Sequence, residues 1–284
     1  MWPDAPVSSA HRKAVDRQVK AAPVLVAMIL SRLPFTSLKT NRPVGFLFDV
    51  DGLLIENSLQ IHSAYEGLLR ARRIVPEPGE RFPGINLFDI VARMKEKYGL
   101  SESVKELVQE RRKAYLEILS REAGDPCDGV HELLRFLDKR RRRTNIKLAY
   151  VSSSEKCFVE QVLKKLFHRI GLPQYCSDPD SFFYGENGTT ASISWEPGLE
   201  KKPHPMLYEM ACRRLALEPS QCVAFEDSTS GYLAALNAGL NLVAVGNGED
   251  RTAPGKFRQE AQWNGRVFWV KSLREFLTMI QTPK

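Results

Sequence analysis

Residues Val44 to Leu54 read VGFLFDVDGLL, and this stretch decides the fold. Gly45 to Phe48 is wholly apolar, the pattern of a short strand buried on both faces of a parallel sheet. Two carboxylates follow one residue apart, Asp49 and Asp51, and at Gly52 the chain must turn. Acids placed directly after a buried strand carry a desolvation cost, which a metal ion or a reaction offsets. In open parallel sheets, ligands bind just outside the carboxyl ends of the strands, where this pair is expected. A plain surface turn is the competing reading, because Asp and Gly are ordinary turn residues.

Three later stretches bear on that choice. Leu148 to Val151 is a second apolar strand, and it ends in three hydroxyls, Ser152, Ser153 and Ser154. Lys202-Pro203-His204-Pro205 holds a lysine rigidly at the start of a helix. Val223-Ala224-Phe225 is a third apolar strand, followed by Glu226-Asp227-Ser228, then Gly231 and the small-residue run Ala234 to Gly239. In a parallel sheet all four stretches can reach one edge. Each has a bland alternative. Ser152 can be a helix N-cap, Lys201 can stand in for Lys202, and Glu226 with Asp227 can cap the next helix.

Between these points, apolar residues recur at helical spacing over 58–73, 86–98, 103–120, 129–141, 155–169, 205–216, 229–238 and 272–280. Strands are expected at 146–151, 221–225, 241–245 and 267–270. Alternation of this kind predicts an α/β fold with a Rossmann-like parallel sheet. Residues 59–127 form a helical insert after the first strand, with 43–58 and 128–284 as the core. Residues 177–200 are rich in Gly, Pro and Asp and read as a long loop or hairpin.

Composition narrows the class. The chain has 284 residues, 43% hydrophobic and 26% charged, ordinary for a globular protein. The net charge of +7 favours anionic partners in general. It is the only feature pointing to nucleic acid, and no nucleic-acid or membrane partner is expected. The basic run Lys139 to Arg143 reads as a solvated helix end. Cys127, Cys157, Cys176, Cys212 and Cys222 are odd in number and contain no CxxC, which suits an intracellular, reducing compartment. Residues 1–42 are basic and acid-poor, as in a transit peptide or an added arm. Their apolar run, Pro23 to Leu30, is too short to span a bilayer.

In this order and at these intervals, the four stretches closely resemble the haloacid dehalogenase-like hydrolase superfamily over residues 43–282. A helical insert after the first strand resembles the CbbY-like branch, which holds phosphoglycolate phosphatases and β-phosphoglucomutases. The resemblance implies a helical cap over the site, and a phosphatase acting as a monomer on a small phosphorylated metabolite, of sugar-phosphate type. It makes Asp49 the nucleophile and Asp51 the acid and base. Ser152 would bind phosphoryl oxygens and Lys202 would neutralise charge. Mg²⁺ would be held by Asp49, the main-chain carbonyl of Asp51, and Asp227, with Glu226 close by. Ser153, Ser154, Glu56 and Arg111 are the expected substrate contacts, and His62, Arg81, Asn86 and Lys113 are further candidates on the insert.

Two elements depart from the family pattern. Glu56-Asn57 replaces the usual acid and hydroxyl, and Met206 replaces an acid after the Lys-Pro-x-Pro element. A phosphomutase is the alternative enzyme, and a non-catalytic binder of phosphorylated metabolites is the alternative class. Dehalogenase chemistry is disfavoured, because Asp51 is retained.

Overall fold

The computed structural model describes residues 43–77, 87–141, 145–172, 190–196, 198–246 and 266–281. Arg81, Asn86, Cys176 and the 1–42 extension lie outside them, as does most of the 177–200 segment. The chain opens with β1 (Val44–Phe48) and a short β2 (Ile55–Glu56), then α1 (Ser58–Arg70), α2 (Leu87–Tyr98) and α3 (Val104–Arg121). Next come β3 (Asp125–Pro126), α4 (Val130–Arg141), β4 (Ile146–Glu155), α5 (Lys156–Arg169) and β5 (Thr190–Trp195). The last part holds α6 (Met206–Leu215), β6 (Cys222–Glu226), α7 (Thr229–Asn237), β7 (Asn241–Val245), β8 (Val267–Val270) and α8 (Leu273–Gln281).

Six strands form one sheet in the order β5-β4-β1-β6-β7-β8. Every neighbouring pair in it is parallel. β1 lies between β4 and β6, so the chain crosses to opposite sides of β1, and ligands gather at such a point. Phe48 is in register with both Tyr150 and Phe225, so the residues just beyond, Asp49, Val151 and Glu226, reach the carboxyl edge at one level.

Alternation along β1 sorts its side chains onto two faces. Phe46 and Phe48 stack with Phe225, at centroid distances of 5.7 and 4.6 Å, in the core covered by α4, α5 and α8. Leu47 turns to the other face, where α6 and α7 pack with Leu207, Tyr208, Ala234 and Ala235. Fully burying one such side chain contributes about 1.5–3 kcal/mol. The central strand is therefore anchored on both sides, and the acids at its end inherit that rigidity. Helices α1 to α3 pack around a cluster of their own, with Leu69, Val91, Met94, Leu107 and Val108. α3 starts with a reciprocal capping box between Ser103 and Glu106.

Three features differ from the sequence expectation. A strand, β5, lies inside the segment read as irregular, and it pairs with β4 from Thr190 onward. β4 continues past Val151 through Ser152 to Ser154, with a register shift between Ser152 and Glu155. β2 and β3 pair as a two-stranded ribbon at the root of the insert, too short to leave a periodic signal. Among the described residues, no helix is long and apolar enough to cross a membrane. Of the basic run, the described residues Lys139 to Arg141 close α4, where Lys139 and Arg140 are exposed.

Candidate active site

Asp49 extends the β1 ladder by donating its N–H to the Phe225 carbonyl at 3.0 Å. Val50, Leu53 and Leu54 are buried and pin the turn that follows. Gly52 closes it with φ +91°, and a Cβ there would stand 2.3 Å from Asp227 Oδ2. Only glycine suits both the conformation and the approach.

Lys202 enters from the loop before α6, and its side chain is 4% exposed. Its Nζ donates to Asp49 Oδ1 at 2.5 Å, to Glu226 Oε1 at 2.6 Å and to the Val151 carbonyl at 2.8 Å. These three acceptors match its three N–H donors. Its acidic neighbours outweigh the burial cost and hold its pKa above the usual lysine value. Tyr208 also donates to Glu226 Oε1, at 2.6 Å. Glu226 thus spends one oxygen on two donors. A Cβ on Gly231 would lie 1.9 Å from its other oxygen, so α7 must present a glycine there.

Asp51 faces a different group. Its Oδ2 accepts from Ser152 Oγ at 3.0 Å and Ser154 Oγ at 2.7 Å, and its Oδ1 accepts from Asn57 Nδ2. Ser152 Oγ in turn accepts from the Ser154 N–H, and Ser153 Oγ accepts from the Lys202 N–H. The extra length of β4 thus delivers two hydroxyls to Asp51 and a third to the main chain of Lys202. Asn57 is 1% exposed and stands at the N-cap of α1, yet its side chain makes no cap bond. It donates instead to Asp51 and to Tyr115 Oη, the latter at 3.3 Å.

Carboxylate oxygens of Asp49, Glu226 and Asp227 lie within 4.8 Å of one another. Burial, then Glu226, pushes Asp49 well above the usual carboxylate range, with Lys202 opposing. Burial and Glu226 likewise push Asp227 up to about 7. Two carboxylates 4 Å apart repel by about 4 kcal/mol at an effective dielectric of 20, and Lys202 is a single compensating charge. Asp227 Oδ1 is buried without a hydrogen-bond partner. Crowded oxygens with an orphaned acceptor fit a hard divalent cation such as Mg²⁺.

The other expected contacts are dispersed. Glu56 is exposed, and its Oε1 accepts from the Ser58 N–H at 3.0 Å, at the start of α1 rather than beside Asp49. His62 pairs with Glu66 along α1 at 3.1 Å, and Lys113 is exposed. Arg111 is buried against aromatic rings. A buried cation carries a desolvation cost of several kcal/mol, and a desolvated ring face returns about 2 or more. Asn57, Tyr115 and Tyr208 carry no expected role in the sequence. Only Asn57 leaves a trace there, as a departure from the family pattern; the two tyrosines read as ordinary helix core.

Fold and site together are those of an α/β protein with a carboxylate cluster and a lysine at the carboxyl edge of a parallel sheet. The family model for haloacid dehalogenase-like hydrolases matches residues 44–239, and the chain belongs to this family. Validoxylamine A 7'-phosphate phosphatase from Streptomyces hygroscopicus subsp. limoneus is 29% identical over 73% of this chain and 87% of its own. Hexitol phosphatase A from Escherichia coli is 27% identical over 71% of this chain and 82% of its own. The crystal structure of CbbY from Rhodobacter sphaeroides in complex with phosphate shares the fold, with a TM-score of 0.60 at 20% identity, over 85% of this chain and 100% of that one. Within the family the chain falls in the CbbY and β-phosphoglucomutase-like branch. It is an enzyme of the phosphoric monoester hydrolase class, with phosphomutases among its relatives.

Proposed function

We propose that this enzyme is a Mg²⁺-dependent phosphatase that hydrolyses a small phosphorylated metabolite, of sugar-phosphate type, through an aspartyl-phosphate at Asp49. The observation that carries this reading is the ion pair of Lys202 with Asp49, set against an acidic cluster with an orphaned oxygen on Asp227. Two of the relatives named above are phosphatases by name, one of validoxylamine A 7'-phosphate and one of hexitols, which supports the substrate class.

Asp49 Oδ attacks phosphorus in line with the ester oxygen, and the P–O ester bond breaks as the Asp49–O–P bond forms. Asp51 gives its proton to the leaving alcohol, then takes one from the water that cleaves the aspartyl-phosphate. Ser152 reorients its O–H from Asp51 toward the phosphoryl oxygens, and Lys202 balances charge on Asp49 and the phosphoryl group. Mg²⁺ would be held by Asp49, the Asp51 carbonyl and Asp227, with Glu226 behind them, and would neutralise the phosphoryl charge. Ser153, Ser154 and Arg111 would contact the substrate. Glu56 joins them once it leaves Ser58. Residues 59–127 act as the cap that shuts out water. The enzyme works as a monomer without nucleic-acid or membrane partners.

The test is phosphate release from a panel of sugar phosphates, phosphoglycolate and nucleotides, with Mg²⁺ and with chelator. Sugar-phosphate isomers are read out in parallel. Magnesium-dependent release establishes the phosphatase; isomer exchange without release moves the reading to a phosphomutase.

A further inference from the structure

Two free cysteines meet in the core beneath the site. Cys212 on α6 and Cys222 at the start of β6 are both buried, and their Sγ atoms stand 3.7 Å apart in a thiol–thiol hydrogen bond. They are ten residues apart in sequence. α6 ends at Ala216 in the left-handed conformation, and the Leu217 N–H returns to the Cys212 carbonyl at 3.0 Å. The chain thus doubles back and sets one thiol against the other. Gly45 of β1 is in register with Cys222 and leaves the space its sulfur fills, since a Cβ there would stand 2.8 Å from Cys222 Sγ.

The pair differs chemically from the other described cysteines. Burial and then Glu56 push Cys127 up to about 12, and burial raises Cys157. Cys212 is lowered by the hydrogen bond it shares with Cys222, and the same bond raises Cys222. A thiolate is the attacking form of cysteine, and a second thiol in contact with it can resolve the sulfur once it is oxidised.

Its place in the fold ties it to the site. Tyr208, one turn before Cys212 on α6, donates to Glu226, the last residue of β6, at 2.6 Å. The same helix and strand are therefore joined twice, by the thiols at the first residue of β6 and by this hydrogen bond at its last. A disulfide is about 2.05 Å long, so closing one draws the two sulfurs together by about 1.7 Å. α6 moves against β6 as it does so, and α6 follows directly on the loop that carries Lys202.

We propose that Cys212 and Cys222 form a redox site, which a small hydroperoxide converts to a reversible disulfide that ties α6 to β6 and slows the enzyme. The Cys212 thiolate attacks one oxygen of hydrogen peroxide. The O–O bond breaks, and the departing hydroxide takes up the proton that Cys212 gave up and leaves as water. Cys222 Sγ then attacks the sulfenic sulfur of Cys212. The S–O bond breaks, and a second water leaves with the Cys222 proton. Two thiols lose two electrons, and one peroxide is reduced to two waters. The bridge itself stands without the phosphatase reading, and only the effect on turnover uses it.

The experiment takes the full chain, reduced and then freed of reductant, through graded hydrogen peroxide, followed by alkylation and trypsin. Cleavage after Arg213 or Arg214 puts the two cysteines in separate peptides, so a bridge joins them with the loss of two hydrogens. The joined peptides should form while Cys127 stays alkylatable. The melting temperature should rise by about 5 °C or more. Turnover should fall by about 10-fold or more, the cost of a misplaced site. Dithiothreitol should reverse all three, and Cys212→Ala should keep its turnover in peroxide. Free thiols at both positions after a dose that oxidises the exposed Cys157 overturn the proposal. So does a bridge from either to another cysteine, or a sulfinic acid in place of the bridge. An unchanged turnover with the bridge formed, or a loss that persists in Cys212→Ala, overturns the link to the site. The peptide map and the melts use the unsubstituted protein, so they decide the bridge whether or not that variant folds. A bridge in a protein that releases no phosphate from any ester would sink the phosphatase reading and keep the redox site.

Discussion

Lys202 Nζ lies 2.5 Å from Asp49 Oδ1, across a sequence separation of 153 residues, and the same nitrogen holds Glu226. Removing it strands two buried carboxylates, which typically costs about 3–5 kcal/mol. Lys202→Met should lose phosphate release by about 10³-fold or more. It should also melt well below the unsubstituted protein at pH 7.5, with the gap narrowing at pH 5 as the carboxyls take up protons. Thermal melts at the two pH values check this.

Asp49 is costly to the fold. Burial and its acidic neighbours disfavour its charge more than Lys202 favours it. Asp49→Asn keeps the shape and an acceptor for Lys202 while removing one charge. It should abolish turnover yet raise the melting temperature in Mg²⁺-free buffer, by about 2–4 °C for each kcal/mol relieved. A lower melting temperature would contradict the electrostatic account.

Asp227 has its folded pKa raised to about 7, and Asp49 is raised too, against about 3.9 for an unfolded aspartate. The folded state therefore binds more protons than the unfolded state between these values. Stability is intact below about pH 4 and falls as pH rises through 7. Metal-free protein should melt at a higher temperature at pH 5.5 than at pH 8. Added Mg²⁺ competes with those protons, so the stabilisation it brings should grow over the same interval. Melting curves in chelator and in Mg²⁺ across this range give both slopes.

Asn57 donates to Asp51 and to Tyr115, joining the reaction centre to α3. Asn57→Ala removes one of the three side-chain donors that orient Asp51. It should lower kcat by about 10–100-fold, in the range of one misplaced acid–base group, with a smaller change in KM. Asn57→Ser keeps a donor and should recover part of the loss. Steady-state kinetics on one substrate distinguish the two variants.

Gly231 leaves no room for a side chain, since a Cβ would stand 1.9 Å from Glu226 Oε2. Gly231→Ala should push Glu226 off Lys202 and Tyr208. Overpacking of this kind costs about 1–3 kcal/mol. Turnover should fall more steeply than stability, because Lys202 loses one of its two carboxylate partners. Parallel activity and melting measurements separate the two effects.

Much of the site is legible in the chain, because its parts are local. An apolar run that ends in Asp49 and Asp51, one that ends in Ser152 to Ser154, and one that ends in Glu226 and Asp227 each announce a buried strand with polar groups at its carboxyl end. Parallel topology carries such ends to one edge. The helices follow from 3.6-residue periodicity in the same way. β5 was hidden because its six residues lie in a Gly- and Pro-rich segment, and its pairing comes from β4. Asn57 stands at the N-cap of α1, but its side chain bonds Asp51 and Tyr115, a role that no local pattern marks. Tyr208 and Arg111 sit in helices whose patterns mark them as core or surface, and only packing shows what they touch.

The sequence by itself determined the fold, the order of the reactive groups and the edge at which they meet, since strand ends and helix starts are short-range properties. Only the tertiary structure decided which group neutralises which and which carboxyls are pushed toward protonation. Those outcomes depend on burial and on distances between residues far apart in the chain, and charge interactions in a dry interior are set by distances that no local pattern encodes.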